Sequence, residues 1–353
     1  MMRKSLCLAA FSLGLCAAAQ AQPSVQLYGT VDVGVEHFDN GAGGVNKLGN
    51  GILNPSVFGL RGQDDLGGGT TAFFHLETSF CANGAAPGAS TASAQFCGPG
   101  FMGRTSIIGL RGDFGTLRMG RMFTLSNGDF YAIDPLHNDS LSPFGNTNLA
   151  TIGEPVWYSQ AVSYTTPDMH GLNAAAMLQF GDGIGLANTV GAYNLHVGYA
   201  QGPLFVGVDY ENQKGPGGTV ALRHTMLAAA YDFQVVRIGG YLGRNRPDAA
   251  SGNPSLDAYA LTASAPFGAA TVIGEYAVQS NKSVSRPNAR QYNLGITYPL
   301  SKRTSLYALY AHTTHYGDFI NEVDAFGNNS APTAPAGSGA SSTGVALGMS
   351  MNF

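Results

Sequence analysis

The chain has 353 residues, with 18 Lys and Arg against 22 Asp and Glu, a net charge of −4, and 49 glycines. An acidic balance without basic runs excludes a nucleic-acid-binding protein, and low charge with abundant Gly and aromatics is unusual for a packed soluble globule. Beyond residue 22 there is no run of about eighteen apolar residues, which excludes a transmembrane helix.

The chain opens with Arg3 and Lys4, runs apolar from Ser5 to Ala19, and reaches Ala19-Gln20-Ala21. A basic start, an apolar stretch and an A-x-A site predict a signal peptide over 1–21, with the mature protein beginning at Gln22. Lipoprotein anchoring at Cys16 is not expected, because the bulky Leu15 precedes it. Loss of Arg3 and Lys4 leaves 16 basic residues against 22 acidic ones. Cys81 and Cys97 then remain, in one Gly/Ala/Ser-rich loop. In an oxidising compartment a disulfide closing that loop is expected, with two free thiols as the alternative.

From Ser24 the sequence alternates. Val25, Leu27, Val31, Val33 and Val35 share one parity, and Gln26, Tyr28, Thr30, Asp32 and Glu36 the other. The same period of two recurs over Thr71–Phe80, Gly171–Phe180, Ala192–Ala200 and Leu204–Glu211. Each segment has roughly the 9–11 residues that cross a bilayer at a tilt. Over Thr105–Arg111 and Leu306–His312 either parity could face lipid. Turn residues rich in Gly, Asp and Pro fall near Asp65–Gly69, Asp113–Gly115, Pro167–Gly171, Gly202–Pro203, Asp232–Gln234, Phe267–Ala269 and Leu300–Arg303. Longer polar segments alternate with them, near 38–55, 81–102, 123–158, 181–190, 213–221, 244–255, 280–288 and 317–341. The last strand sets Val345, Leu347, Met349, Met351 and Phe353 against Gly344, Ala346, Gly348, Ser350 and Asn352, and ends on the aromatic Phe353.

Together these segments predict an all-β chain with one domain over 22–353. The architecture is a transmembrane antiparallel β-barrel of about 16 strands, with short periplasmic turns and long extracellular loops. A soluble sandwich would invert the pattern, placing charges on the outer faces, and no fixed repeat supports a solenoid. At sixteen strands the interior is too wide for side chains to fill, so a water-filled channel follows.

Several stretches resemble the general trimeric porins of Gram-negative bacteria, especially the β-proteobacterial type. They are Ser24-Val-Gln-Leu-Tyr-Gly-Thr-Val-Asp32, Phe58-Gly-Leu-Arg-Gly-Gln-Asp-Asp-Leu-Gly-Gly-Gly69, Ile108-Gly-Leu-Arg-Gly-Asp-Phe-Gly-Thr-Leu-Arg-Met-Gly-Arg121 and the terminal Phe353. The resemblance implies a sixteen-stranded barrel, three per assembly, in the outer membrane. Each barrel would enclose a channel for passive diffusion of small hydrophilic solutes and ions, narrowed by a third long loop folded inward. It also implies lipid, lipopolysaccharide and the barrel-assembly machinery as partners, with Phe353 as the assembly signal. The sequence departs from the family pattern at Val57, where an Arg is common, at Arg111, where a small polar residue is usual, and across Phe123–Trp157, which lacks an acid-rich string.

A diffusion pore needs a constriction whose charges sort solutes rather than a catalytic group. Strand parity points Arg61 and Arg118 inward. Arg121 breaks that parity but lies where its strand gives way to the third loop, and is expected to join them as a basic wall. Asp129, Asp134, Asp139 and Glu154 of the third loop, with Glu77 on the wall, are the expected acidic partners. Nearby charges outweigh distant screened ones, so the basic wall tilts the expected selectivity toward anions. No cofactor or metal site is expected. His312 and His315 lack a third ligand, Asp318, Glu322 and Asp324 lack EF-hand spacing, and the inward His75, His196 and His224 lack a nucleophile motif. Tyr199, Tyr210, Tyr231, Tyr276 and Tyr298 read as aromatic girdles. The competing readings are an outer-membrane barrel enzyme and an adhesin without an open pore.

Overall fold

The computed structural model describes residues 24–39, 43–83, 102–138, 141–145, 149–181, 190–215, 218–282, 288–315 and 341–353. The leader, Cys97, Asp139 and the last-loop acids Asp318, Glu322 and Asp324 lie outside the described residues. In chain order the elements are β1 (Ser24–Asp39), β2 (Gly44–Asn50), β3 (Val57–Gly67), β4 (Thr70–Ser79), β5 (Thr105–Gly112), β6 (Gly115–Phe123), helix α1 (Leu125–Ile133), β7 (Trp157–Thr165) and β8 (Leu172–Phe180). They continue with β9 (Val190–Gln201), β10 (Leu204–Lys214), β11 (Val220–Asp232), β12 (Arg237–Asn245), β13 (Leu256–Phe267), β14 (Ala270–Asn281), β15 (Asn288–Pro299), β16 (Thr304–His315) and β17 (Ser341–Asn352). No described helix is long and apolar enough to cross a membrane, which leaves crossing by strands untouched.

All strands belong to one antiparallel sheet that closes on itself. β1 meets β17 from Thr30↔Asn352 to Asp39↔Thr343. Below that ladder the Phe353 N–H donates to the Gly29 carbonyl at 3.0 Å, and the Gly29 N–H returns a bond to Phe353 at 3.2 Å. The terminal aromatic is thus the last rung of the seam. Closure removes the unpaired edges that lipid would leave unsatisfied.

The sheet holds seventeen strand segments at sixteen barrel positions. The extra segment is β2, which lies within the stretch 38–55 expected to be loop. It pairs with the upper part of β1, Val33 to Asp39, while β3 pairs with the lower part, Ser24 to Thr30, on the same side. Polar Gly, Asn and Lys hide the strand in the sequence. Lys47 in fact faces inward, 3.9 Å from Glu36 and over the Phe38 ring. Between β2 and β3 the chain bends through Gly51–Ser56, and the buried Asp32 carboxylate organises the bend. It accepts the amides of Ile52 (2.9 Å), Leu53 (3.4 Å) and Asn54 (3.2 Å) and the Tyr307 hydroxyl (2.8 Å).

Burial follows the expected parity. Val25 is 64 % exposed and Leu347 59 %, whereas Asp32 and Glu36 of β1 are fully buried. A single chain that exposes apolar rows and buries its acids is dressed for lipid outside and water inside. The two ambiguous strands are resolved as well. Ile108 and Leu110 face out on β5, with Ile107 and Arg111 on the inward parity; on β16 Leu306 faces out while Tyr307 and Leu309 are buried. The short turns fall where Gly, Asp and Pro placed them. Tyr231 and Tyr298 are exposed at strand ends, Tyr276 is exposed in the middle of β14, and Tyr199 and Tyr210 are half-buried.

Candidate functional site: the pore lining

The third long loop carries α1, whose nine residues include Asn127 and Gly128 and have little intrinsic tendency to form a helix. Its N-cap Thr124 makes no side-chain capping bond, and its hydroxyl goes instead to Pro155 across the base of the loop, at 3.0 Å. The first helical amide, Leu125, is taken by Asn194 of β9 at 2.7 Å. Tertiary contact therefore holds this helix.

Wall side chains fasten the rest of the segment. Arg237 donates to Ala132 (2.8 Å), Thr262 to Ile133 (2.5 Å), Asn245 to Ile152 (3.2 Å), and Gln291 (2.7 Å) and Asn293 (2.5 Å) both donate to Leu141. Thr262, Asn245, Gln291 and Asn293 sit on the inward parity of β12, β13 and β15, so the segment lies against the inner wall. Its apolar side chains, Phe130, Ile133, Phe144 and Ile152, pack on Met226, Ala228, Ala230 and Ala258. Small residues on the inward parity leave room for the helix, which fills space that a large barrel leaves open.

The opposite wall is bare. Gln26 of β1, Arg61 of β3, Phe73 and His75 of β4, Ile107 and Arg111 of β5 and Arg118 of β6 line a recess of about 450 Å³. Register places them side by side: Gln26↔Arg61, Arg61↔His75, His75↔Ile107 and Gly109↔Arg118. Arg61 and Arg111 are exposed and Arg118 is half-buried. Arg61 donates to Gln26 at 2.9 Å and lies over the Tyr28 ring, and Arg111 donates to Gln63 and lies over Phe73. Their partners are neutral amides and rings. Among the described residues none of the three is in an ion pair, so their charge is left to the channel water.

The structure brings together Arg61 and Arg118 of the expected basic wall and adds Arg111, which sequence reasoning missed. The available signal was register, since Arg111 shares parity with Gly109, the partner of Arg118. Arg121 does not join them. A β-bulge between Gly120 and Met122, with Gly120 at φ +129°, shifts the register there. Arg121 pairs with Ser106 on the other parity and is spent on the Gly103 carbonyl (2.5 Å), the Ser159 hydroxyl (2.6 Å) and the Trp157 ring.

Among the described residues, Asp129, Asp134, Glu154 and Glu77 do not assemble the expected acidic face opposite the arginines. Asp129 is buried against Asp209 and His196 of β9 and β10. Asp134 closes its own turn, accepting the Leu136 amide (2.7 Å), the Asn138 amide (2.6 Å) and the Ser142 hydroxyl (2.6 Å). Glu154 lies 2.9 Å from His224, whose other ring nitrogen meets the Tyr241 hydroxyl at 3.0 Å. Glu77 is matched to Arg104 at 2.6 Å and accepts from Tyr28 at 2.7 Å. Arg104 was not expected, since it stands just before β5. These carboxylates fix backbone and wall instead of facing solutes. Cys81 is disulfide-bonded.

Comparison with known proteins agrees with this architecture. Residues 5–318 match the family described as Gram-negative porin. The chain is 33% identical over 321 residues to outer membrane porin protein 32 of Delftia acidovorans, covering 87% of this chain and 88% of that one. It is 29% identical to an outer membrane porin of Bordetella pertussis, over 89% and 95% of the two chains. Among solved structures it superposes on the anion-selective porin from Comamonas acidovorans with a TM-score of 0.78 and 29% identity, over 94% of this chain and 100% of that one. The chain therefore belongs to the Gram-negative porin family, as an outer-membrane β-barrel that forms a channel for passive diffusion.

Proposed function

We propose that this porin is a homotrimeric, anion-preferring channel for small hydrophilic solutes, constricted between the third loop and the wall of Arg61, Arg111 and Arg118. The observation that carries the selectivity is the asymmetry of charge. Among the described residues the three guanidiniums have no carboxylate partner, while Asp129, Asp134 and Glu154 of the loop are buried. A fixed positive wall raises the local concentration of anions and repels cations. The anion selectivity of the structurally similar Comamonas porin points the same way.

Support for the trimer comes from β1 and β17, whose outward rows are apolar and uncharged from Val25 to Val35 and from Val345 to Met351. The loop after β4, closed by a Cys81–Cys97 bridge, would then latch onto a neighbouring protomer, and Phe353 would serve as the signal read by the barrel-assembly machinery. Lipid and lipopolysaccharide are the surrounding partners.

Swelling of proteoliposomes in anionic and cationic solutes of matched size tests the selectivity. Faster entry of the anion is expected, and faster entry of the cation overturns the proposal. Heat-modifiable mobility in detergent gels tests assembly. Unheated protein should run as a trimer, and removal of both cysteines should lower the temperature at which it dissociates. Unchanged heat resistance would remove the latch.

A further inference from the structure

One cluster on the covered wall is built unlike its neighbours. Asp129 of α1, His196 of β9 and Asp209 of β10 bring one donor atom each to within 4.8 Å of one another. The His196 Nδ1 lies 3.1 Å from Asp209 Oδ2 and 3.6 Å from Asp129 Oδ2. The two carboxylates are buried and the imidazole nearly so, with side-chain relative exposures of 5 % for Asp129, 1 % for Asp209 and 11 % for His196. Among the described residues two buried oxygens there, Asp129 Oδ2 and Asp209 Oδ1, accept no N–H or hydroxyl hydrogen bond, and the two carboxyl groups are left against each other. One imidazole is a poor match for two buried carboxylates, and an unpaired buried charge is expensive.

The backbone also makes room at this point. Gly207 shares the inward parity of Asp209, and a Cβ on it would overlap Asp129 Oδ2. Any other residue would push the carboxylate out of the cluster. The spacing suits a small ion. Donors about 2.0–2.2 Å from a tetrahedral zinc stand roughly 3.3–3.6 Å apart, and of the two separations one, 3.6 Å, is at the upper end of that range and the other, 3.1 Å, just below it. A nitrogen donor with two carboxylates suits a borderline transition metal, whereas calcium wants six or more oxygens.

We propose that Asp129, His196 and Asp209 bind a divalent transition-metal ion, with Zn²⁺ the best fit, and that the ion staples α1 to β9 and β10. Two carboxylates and a neutral imidazole around a dication make a site with no net charge, which removes the cost of burying the acids. The staple acts beside the bond that the Leu125 amide donates to Asn194, so the helix is fixed at two points on one strand pair. The site is independent of whether the channel prefers anions or cations.

The test uses untagged full-length protein in detergent, stripped with EDTA and titrated with Zn²⁺ alone. Metal content after gel filtration and the thermal midpoint are read out. One tightly held ion per chain and a higher midpoint with Zn²⁺ are expected. Asp129→Asn and His196→Gln should weaken binding by more than the roughly 10- to 100-fold that loss of an outer-shell partner costs. His312→Ala, at the rim, should leave it intact. Zn²⁺ uptake that survives both ligand variants overturns the proposal. So does an absence of uptake combined with a higher midpoint for Asp129→Asn, the signature of two carboxyls sharing a proton.

Discussion

The two halves of the inner wall solve opposite problems with the same period of two. On β9 to β15 the inward positions include Ala228, Ala230, Ala258 and Ala277, with Asn, Gln and Thr among them, and the third loop covers them. On β1 and β3 to β6 the inward positions carry Gln26, Tyr28, Arg61, His75, Arg111 and Arg118, and water covers them. Small inward side chains invite a segment to pack, with amides to tie it down. Long charged ones keep a segment away and meet solute. A barrel of one geometry thus becomes a scaffold on one side and a filter on the other.

Replacing Arg61, Arg111 and Arg118 together by Glu attacks this contrast most strongly. The preferred ion should change sign, read as an inverted reversal potential under a salt gradient, with the barrel still folded. Asp32→Ala strikes the bend between β2 and β3, whose Ile52 and Leu53 pack on Leu136 and Leu141 of the third loop. Three amides and the Tyr307 hydroxyl lose a buried acceptor. A loss of about 3 kcal/mol is expected in denaturant unfolding of the folded barrel.

Gln291→Leu with Asn293→Leu tests the covered half alone. The Leu141 carbonyl would lose both donors, weakening the attachment by about 1–3 kcal/mol. Single-channel recordings should show greater open-state noise with the ion preference retained. The finest discrimination is between two neighbours on β6. Arg118→Gln should lower the anion preference a few-fold, on the scale of about 1 kcal/mol for one charge close to the permeating ion in water. Arg121→Gln should leave the preference alone, because that guanidinium is held by Gly103 and Ser159. Equal effects would show that strand parity does not separate them.

Barrel class, short turns and the inward direction of Arg61 and Arg118 were all legible in the sequence, because lipid on one side and water on the other impose a strict period of two. The strand β2 was not legible, since its inward Lys47 and Asn residues look like loop until Glu36 and the β1 ladder stand beside them. Arg111 was hidden for a related reason: Ile107 and Ile108 make both parities of β5 apolar, and only pairing with β6 decides between them. Arg121 was misplaced because its strand was expected to give way to the loop there, whereas the β5 ladder runs on through Ser106↔Arg121 and keeps Arg121 on the parity opposite Arg118. Asp129 and Glu154 were read as facing solute because their partners, His196, Asp209 and His224, lie 67 or more residues further along the chain, and Asp134 because its own turn takes up its carboxylate. The metal-like cluster escaped for the same reason, drawing its three donors from three elements.

The most direct measurement is the zero-current potential of the wild-type channel in a planar bilayer bathed in unequal concentrations of potassium chloride. An anion-preferring wall predicts a potential whose sign matches chloride as the more permeant ion, and whose size shrinks as salt screens the arginines. A potential of the opposite sign, from channels of normal conductance, would mean that Arg61, Arg111 and Arg118 do not govern the pore.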